Sequence, residues 1–220
     1  MDNKKRVYTF GNGQAEGNAQ MREILGGKGA NLAEMNLVGV PVPPGFTIIT
    51  DVCNEYYKLG QEKIVEILEQ EVKAAVAHIE SLMNNTFGDP KNPLLVSVRS
   101  GARASMPGMM DTILNLGLND EVAAGLVEKT GNPHFVYDSY RRFVQMYGDV
   151  VLGMKPVNKE DMDPFEAIIE EIKEIRGIKL DKDLTVDELK LLVARFKTAI
   201  KDQTGHGFPT TPVEQHWGGM

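Results

Sequence analysis

The sequence predicts a mixed α/β (α+β) fold with a helical part inserted into it. Short apolar runs bounded by glycine and proline predict strands, whereas apolar residues spaced three and four apart predict amphipathic helices. The strand-like runs end near residue 116, and the stretch from 119 to 204 has helical periodicity almost throughout. We therefore expect an α/β subdomain formed by residues 1–118 and 205–220, and a helical subdomain over residues 119–204.

Four strands are predicted, over residues 7–10, 45–50, 94–98 and 112–116. These runs are rich in valine, isoleucine, leucine, threonine and aromatic residues, which fit a pleated surface. A proline-rich segment precedes the second run and cannot be helical, because proline disfavours helical backbone at the residue before it. All four predicted strands lie within the α/β subdomain.

The longest predicted helix spans residues 62–83, where apolar positions follow a three-to-four spacing. In the helical subdomain, Asp163 followed by Pro164 is a helix start, because aspartate caps the first N–H groups and proline fits the first turn. Thr185 and Glu188 have the spacing of a capping box and predict another helix start.

The composition excludes several classes of partner. The chain carries 31 acidic and 24 basic residues, a net charge of −7, which argues against nucleic-acid binding. No apolar run has the length of a membrane span, and the first residues lack the apolar segment of a signal peptide. The single cysteine, Cys53, fits a reducing compartment. We expect a cytoplasmic protein in which Cys53 is a buried structural thiol on a short helix.

The segment from Ser97 to Thr112 carries the strongest functional pattern. It places Arg99 and Arg103 with serines and glycines between two predicted strands. Arginine offers a fork of donors suited to phosphate or carboxylate, and glycine lets backbone N–H groups approach a ligand. This pattern favours an anion site, although a tight surface turn whose arginines pair with acidic residues has the same composition.

A second glycine-rich segment, residues 26–29 (Gly-Gly-Lys-Gly), runs directly into a predicted helix. Free N–H groups, the positive end of the helix dipole and the ammonium of Lys28 together favour a phosphate group. The spacing is not that of a Walker A motif, so the segment alone is weak evidence.

Taken together, these segments resemble the N-terminal part of the pyruvate, phosphate dikinase family. The resemblance includes residues 26–35, 42–47 and 98–112, continues through 115–119 and 137–143, and extends more weakly to 212–218. Phosphoenolpyruvate synthases resemble it less, since their corresponding loop begins Arg-Ser-Ser and carries an acidic Glu-Asp near the position of Arg103. The dikinase family is therefore favoured.

This resemblance implies the first lobe of an ATP-grasp nucleotide-binding domain. By position, Lys28 and Arg99 match basic residues that contact ATP phosphates, and we assign both as catalytic and ATP-binding. The same match implies further nucleotide-binding positions at Gly101, Arg103, Met106, Pro107, Gly108, Met109, Asp111 and Thr112. A structural ion pair remains open for Arg103, and core packing remains open for the methionines.

The resemblance also implies the reaction and the partners of the intact enzyme. That family converts ATP, phosphate and pyruvate to AMP, pyrophosphate and phosphoenolpyruvate through a phosphohistidine on a swivelling domain. The expected partners are ATP, a second ATP-grasp lobe, the phosphohistidine domain, a pyruvate-binding domain and a second subunit in a homodimer. Mg²⁺ is implied with ligands outside this chain, and no metal site is assigned within it. We expect a fragment that is inactive by itself.

Other residues carry weaker indications. A structural or solvent role is expected for the four histidines, which are His78, His134, His206 and His216. Two alternatives to the dikinase remain: a related phosphoenolpyruvate synthase or antibiotic phosphotransferase, and a non-catalytic helical interaction module whose glycines only form turns.

Overall fold

A computed structural model describes residues 4–100, 112–154, 156 and 162–220. The chain is a mixed α/β protein, as predicted, and packs as two compact units. The described part of the first unit comprises residues 4–86 with Arg99 and Ser100. The second comprises the described residues of 87–98 and 112–220.

The sheet of the first unit has three antiparallel strands, in the order β2-β1-β3: β1 (Val7–Gly11), β2 (Gln14–Ala15) and β3 (Gly45–Ile48). Asn12 and Gly13 join β1 to β2 with positive φ angles of 51° and 75°, the backbone that an Asn-Gly hairpin turn requires.

The described part of the first unit also contains three α-helices: α1 (Arg22–Leu37), α2 (Asp51–Leu59) and α3 (Gln61–Met83). The predicted helix over residues 62–83 is confirmed by α3, which packs against β1 and α2. Its buried stripe follows the predicted three-to-four spacing and consists of Ile64, Leu68, Val72, Ala75 and Ile79.

Glu71 of α3 forms hydrogen bonds with the start of β1. One of its carboxylate oxygens accepts hydrogen bonds from the backbone N–H groups of Arg6 and Val7, at 2.8 and 2.9 Å. The buried Arg6 side chain donates to Glu55 of α2 at 2.9 Å. Hydrogen bonds to charged groups are worth about 1.5–3 kcal/mol, so this cluster fixes both helices on the sheet.

Cys53 corrects one prediction. It lies on α2 as expected, but it is exposed, whereas its neighbour Val52 is buried. The expectation of a buried thiol was wrong because α2 turns Val52 toward the core, and the adjacent residue then points elsewhere on the helix.

Within the described residues, the second unit contains five α-helices and most of two small two-stranded sheets, whose Thr86 and Arg99 belong to the first unit. Strand β4 (Thr86–Phe87) pairs with β5 (Pro93–Leu94), and β6 (Val96–Arg99) pairs with β7 (Thr112–Leu116). The helices are α4 (Asp120–Thr130), α5 (Pro133–Val150), α6 (Pro164–Arg176), α7 (Val186–Thr204) and α8 (Pro212–Gly219).

Helix starts in the second unit follow the capping rules. Asp163 accepts from the N–H groups of Phe165 and Glu166, and Thr185 with Glu188 forms the predicted capping box before α7. One apolar core joins these helices to β7, with Ile113, Leu116, Phe143, Phe165, Phe196 and Ile200 among its buried members.

The compact units do not coincide with the predicted division at residue 118. Leu116, Leu118 and Phe208 are buried in the same core as the residues of α5 and α7, so the end of β7 and the tail pack with the helices. The physical reason is that β7 turns buried apolar side chains toward α5. As a functional division, residues 1–118 with 205–220 and residues 119–204 stay a prediction.

The buried amide of Gln215 joins α8 to the end of β7. Its oxygen accepts from the Gly117 N–H at 3.1 Å, and its nitrogen donates to the carbonyls of Leu118 and Pro209 at 2.8 and 3.1 Å. Three backbone groups therefore depend on one side chain that water does not reach.

Replacing Gln215 by leucine is expected to lower the free energy of unfolding by about 2–4 kcal/mol, because buried backbone groups lose their partners. Urea denaturation measures this change. Gln203→Leu, at an exposed position on α7, is the matched control and should change stability by less than about 0.5 kcal/mol. Equal effects of the two substitutions would contradict the anchoring role of Gln215.

His216, also on α8, makes stability depend on pH. It is buried, its ring lies 5.7 Å from the ring of Phe87, and burial lowers the pKa of its imidazole to about 4. In the unfolded chain the imidazole keeps a pKa of about 6.5, so it binds a proton more tightly there than in the folded protein. This contribution to stability is therefore complete above about pH 6.5 and is lost as the pH falls toward 4.

His216→Gln is expected to remove up to about 3 kcal/mol of the change in unfolding free energy between these pH values. Urea titrations at successive pH values measure it. His206→Gln, at an exposed position, is the control. A wild-type pH dependence that survives in the His216 variant would show that another group causes it.

Candidate functional site

Helix α1 is broken at the glycine-rich segment. Gly26 has φ 71° and ψ 169°, so the helix consists of two pieces, and the second begins after this residue. Glycine adopts such a backbone readily because it lacks a Cβ. The first turn of any helix presents N–H groups without intrahelical acceptors, at the positive end of the dipole. Residues 27–29 occupy this turn, as the sequence predicted for a helix start.

Thr50, just after β3, accounts for the break. Its backbone N–H donates to the Ile24 carbonyl at 2.8 Å, and its hydroxyl donates to the Glu23 carbonyl at 2.7 Å. In a continuous helix these two carbonyls would accept from the residues four positions later, Gly27 and Lys28. Because both carbonyls are bonded to Thr50 instead, the first helical piece ends here and a second piece begins.

Lys28 lies in the first turn of the second piece and is half-buried. Its ammonium donates a hydrogen bond to the backbone carbonyl of Ser100 at 3.2 Å. Ser100 follows Arg99, the last residue of β6, and both are exposed. The structure thus brings the glycine-rich segment beside the beginning of the arginine-containing segment, although 72 positions separate Lys28 from Ser100.

Only one more of the predicted site residues lies within the described part of the chain. Thr112 is the half-buried first residue of β7 and belongs to the second unit. The remaining seven lie outside the described residues, and they are Gly101, Arg103, Met106, Pro107, Gly108, Met109 and Asp111. The predicted site is therefore described at Lys28, Arg99 and Thr112.

Sequence reasoning missed Thr50 as a residue that shapes the helix start. A threonine after a β-branched strand has no local pattern that distinguishes it from other strand residues. Its role follows from tertiary pairing, because the hydroxyl reaches a carbonyl 27 positions earlier. The Ser100 carbonyl was missed for the same reason.

The described ranges 4–100, 112–154, 156 and 162–220 hold no candidate metal centre. Within them, no group of three or more histidine, cysteine, aspartate or glutamate side chains has an arrangement that could hold a metal ion. No helix of the described part is both long enough and apolar enough to cross a membrane.

The first turn of a helix favours phosphate groups, and Lys28 in this turn contacts the carbonyl of the residue that follows the exposed Arg99. The family described as "Pyruvate phosphate dikinase, AMP/ATP-binding domain" matches residues 22–73 and 67–200. The chain belongs to this family.

Similar curated proteins agree with this assignment. The chain is 52% identical to a pyruvate, phosphate dikinase of Clostridium symbiosum over 217 residues, 98% of this chain and 24% of that protein. It is 50% identical to the enzyme of Rhizobium meliloti (strain 1021) over 216 residues, again 98% of this chain and 23% of the relative. A chloroplastic relative from Flaveria pringlei is 50% identical over 212 residues, 96% of this chain and 21% of its own length. The chain therefore spans less than a quarter of these relatives.

Proposed function

We propose that this chain supplies ATP-phosphate contacts in a pyruvate, phosphate dikinase. In the proposed reaction, ATP transfers its pyrophosphoryl group to a histidine on another domain and leaves AMP. Phosphate then accepts the outer phosphoryl group as pyrophosphate, and pyruvate accepts the remaining one as phosphoenolpyruvate. The family membership and the curated relatives support this phosphotransferase activity.

The observation that carries the proposal is the contact between the Lys28 ammonium and the Ser100 carbonyl, at 3.2 Å. It joins the glycine-rich helix start to the residue that follows Arg99. Transfer of a phosphoryl group spreads negative charge over several oxygens, so positioned cations stabilise the transition state. Lys28 provides a compact charge, and Arg99 provides a planar fork that binds two oxygens at once.

We further propose the first lobe of an ATP-grasp domain, in which residues after Arg99 complete the nucleotide site. Gly101, Arg103 and the Met106, Pro107, Gly108 and Met109 run would contact the nucleotide. Asp111 would orient an arginine, and the Thr112 hydroxyl would donate to a phosphate oxygen. The composition of the segment supports this, because it combines cations, hydroxyls and glycines.

The remaining partners follow from the same proposal. Mg²⁺ would neutralise the ATP phosphates, with protein ligands supplied by residues outside this chain. A second ATP-grasp lobe, a phosphohistidine domain and a pyruvate-binding domain would complete a cytoplasmic homodimeric enzyme. The relative from Flaveria pringlei is named as chloroplastic.

Lys28→Met and Arg99→Ala, made in the full-length protein, are each expected to weaken Mg·ATP binding by roughly tenfold or more, because each removes a charge-assisted hydrogen bond worth about 1.5–3 kcal/mol. Titration calorimetry measures the affinity, and transfer of β-labelled phosphate from ATP to protein measures the first partial reaction. Lys58→Met, at an exposed lysine of α2, is the matched control. Unchanged affinity and label transfer in the Arg99 variant would exclude the phosphate contact.

The 220-residue chain by itself is expected to transfer no label from β- or γ-labelled ATP to a separately supplied phosphohistidine domain. The reason is that the proposed Mg²⁺ ligands and second lobe lie outside it. Gel autoradiography of the histidine domain measures transfer, with the full-length protein as positive control. Labelling by the short chain at the full-length rate would show that it already holds the whole catalytic site.

A further inference from the structure

The second piece of α1 approaches β3 closely at Gly29. This glycine is buried, and a Cβ added to it would lie 2.6 Å from Cγ2 of Thr47 and 2.9 Å from its hydroxyl oxygen. The Thr47 Cβ itself would be 3.2 Å away. Such distances are below van der Waals contact, so a side chain at residue 29 requires either Thr47 or the helix start to move.

Thr47 has little room to yield. Its β-branched side chain is stiff at χ1, and its backbone lies opposite Tyr8 in the antiparallel pair of β3 and β1. Two residues after β3, Thr50 holds the Glu23 and Ile24 carbonyls of the first helical piece. β1 and the first piece of α1 therefore hold the strand in place. The start of the second piece of α1 must move instead.

Lys28 is the residue adjacent to this contact. It lies between Gly29 and the break at Gly26, and its ammonium reaches the Ser100 carbonyl. Restoring ordinary contact between a new Cβ and Thr47 would require a displacement of about 1 Å, since carbon atoms pack at roughly 3.5–4.0 Å. A displacement of that size at a reacting group can cost on the order of a hundredfold in rate.

We propose that Gly29 and Thr47 are positioning residues: their close contact sets where the first turn of α1 holds Lys28 toward the phosphates of ATP. The inference rests on the proposed function and deepens it, because it assigns the placement of Lys28 to a contact with the strand beneath it. Neither residue touches the nucleotide in this account. Both act through Lys28.

The test is a double-mutant cycle in the full-length protein, with the Mg·ATP dissociation constant as the readout. Gly29→Ala is expected to weaken binding by roughly tenfold or more, because it displaces Lys28. Thr47→Ala removes the two closest atoms, so Gly29→Ala/Thr47→Ala is expected to recover affinity to within about threefold of wild type. Thr47→Ala alone should have a smaller effect than Gly29→Ala. Failure of the double variant to recover affinity would overturn the proposal.

Gly45→Ala separates positioning from general destabilisation. Gly45 begins the same strand, and its added Cβ would lie 2.7 Å from the Phe10 ring, a clash of similar severity that does not involve α1. This control is expected to lower the melting temperature while leaving the dissociation constant within about twofold of wild type. If Gly45→Ala weakened ATP binding as much as Gly29→Ala, the effect would be structural, and the positioning role would be rejected.

A second readout works without nucleotide. Reductive methylation with ¹³C-formaldehyde keeps the charge of lysines and gives each an NMR signal, and Lys28→Arg identifies the signal of Lys28. In the 220-residue chain, Gly29→Ala should shift this signal, and the double variant should return it toward wild type. If full-length wild type binds no ATP but the Lys28 signal behaves in this way, the proposed function fails and the contact stands. An unmoved signal in Gly29→Ala would overturn the contact.

Discussion

The position of Lys28 depends on the break in α1 and on the strand that stabilises it. The backbone of Gly26 is not helical, and Thr50 donates hydrogen bonds from its hydroxyl to the Glu23 carbonyl and from its N–H to the Ile24 carbonyl. Without this break, the N–H groups at residues 27 and 28 would be used inside a continuous helix. The break therefore creates a helix start in the middle of a helical segment, with a lysine in its first turn.

Local charge has to outweigh the charge of the whole chain. A net charge of −7 disfavours a polyanion such as ATP at long range, so affinity must come from cations held close to the phosphates. In the proposed site, Lys28, whose ammonium contacts the Ser100 carbonyl, and Arg99 would supply this local positive charge. Lys28 lies at a helix start and Arg99 at a strand end. Regular elements hold side chains more accurately than loops do.

Much of the fold was predictable because local rules and tertiary packing agreed. The periodicity of α3, the Asp163 cap and the Thr185–Glu188 box each specify an element from neighbouring residues alone. A helix start at the glycine-rich segment was also predicted, because an apolar periodic stretch follows the glycines, whereas the helical piece before Gly26 was not predicted. The cause of this helix start was not predictable, since Thr50 acts across the fold. The exposure of Cys53 was missed because periodicity identifies an apolar face but not its partner. The packing of β7 with the helices likewise depends on tertiary contacts that local patterns do not specify.

The most direct test of the account is a crystal structure of the full-length protein with Mg²⁺ and a non-hydrolysable ATP analogue. We expect the Lys28 ammonium to exchange the Ser100 carbonyl for a phosphate oxygen, and the Arg99 guanidinium to bind the same polyphosphate, both at roughly 2.7–3.2 Å. A polyphosphate bound away from the second piece of α1, or contacted by only one of these two side chains, would contradict it.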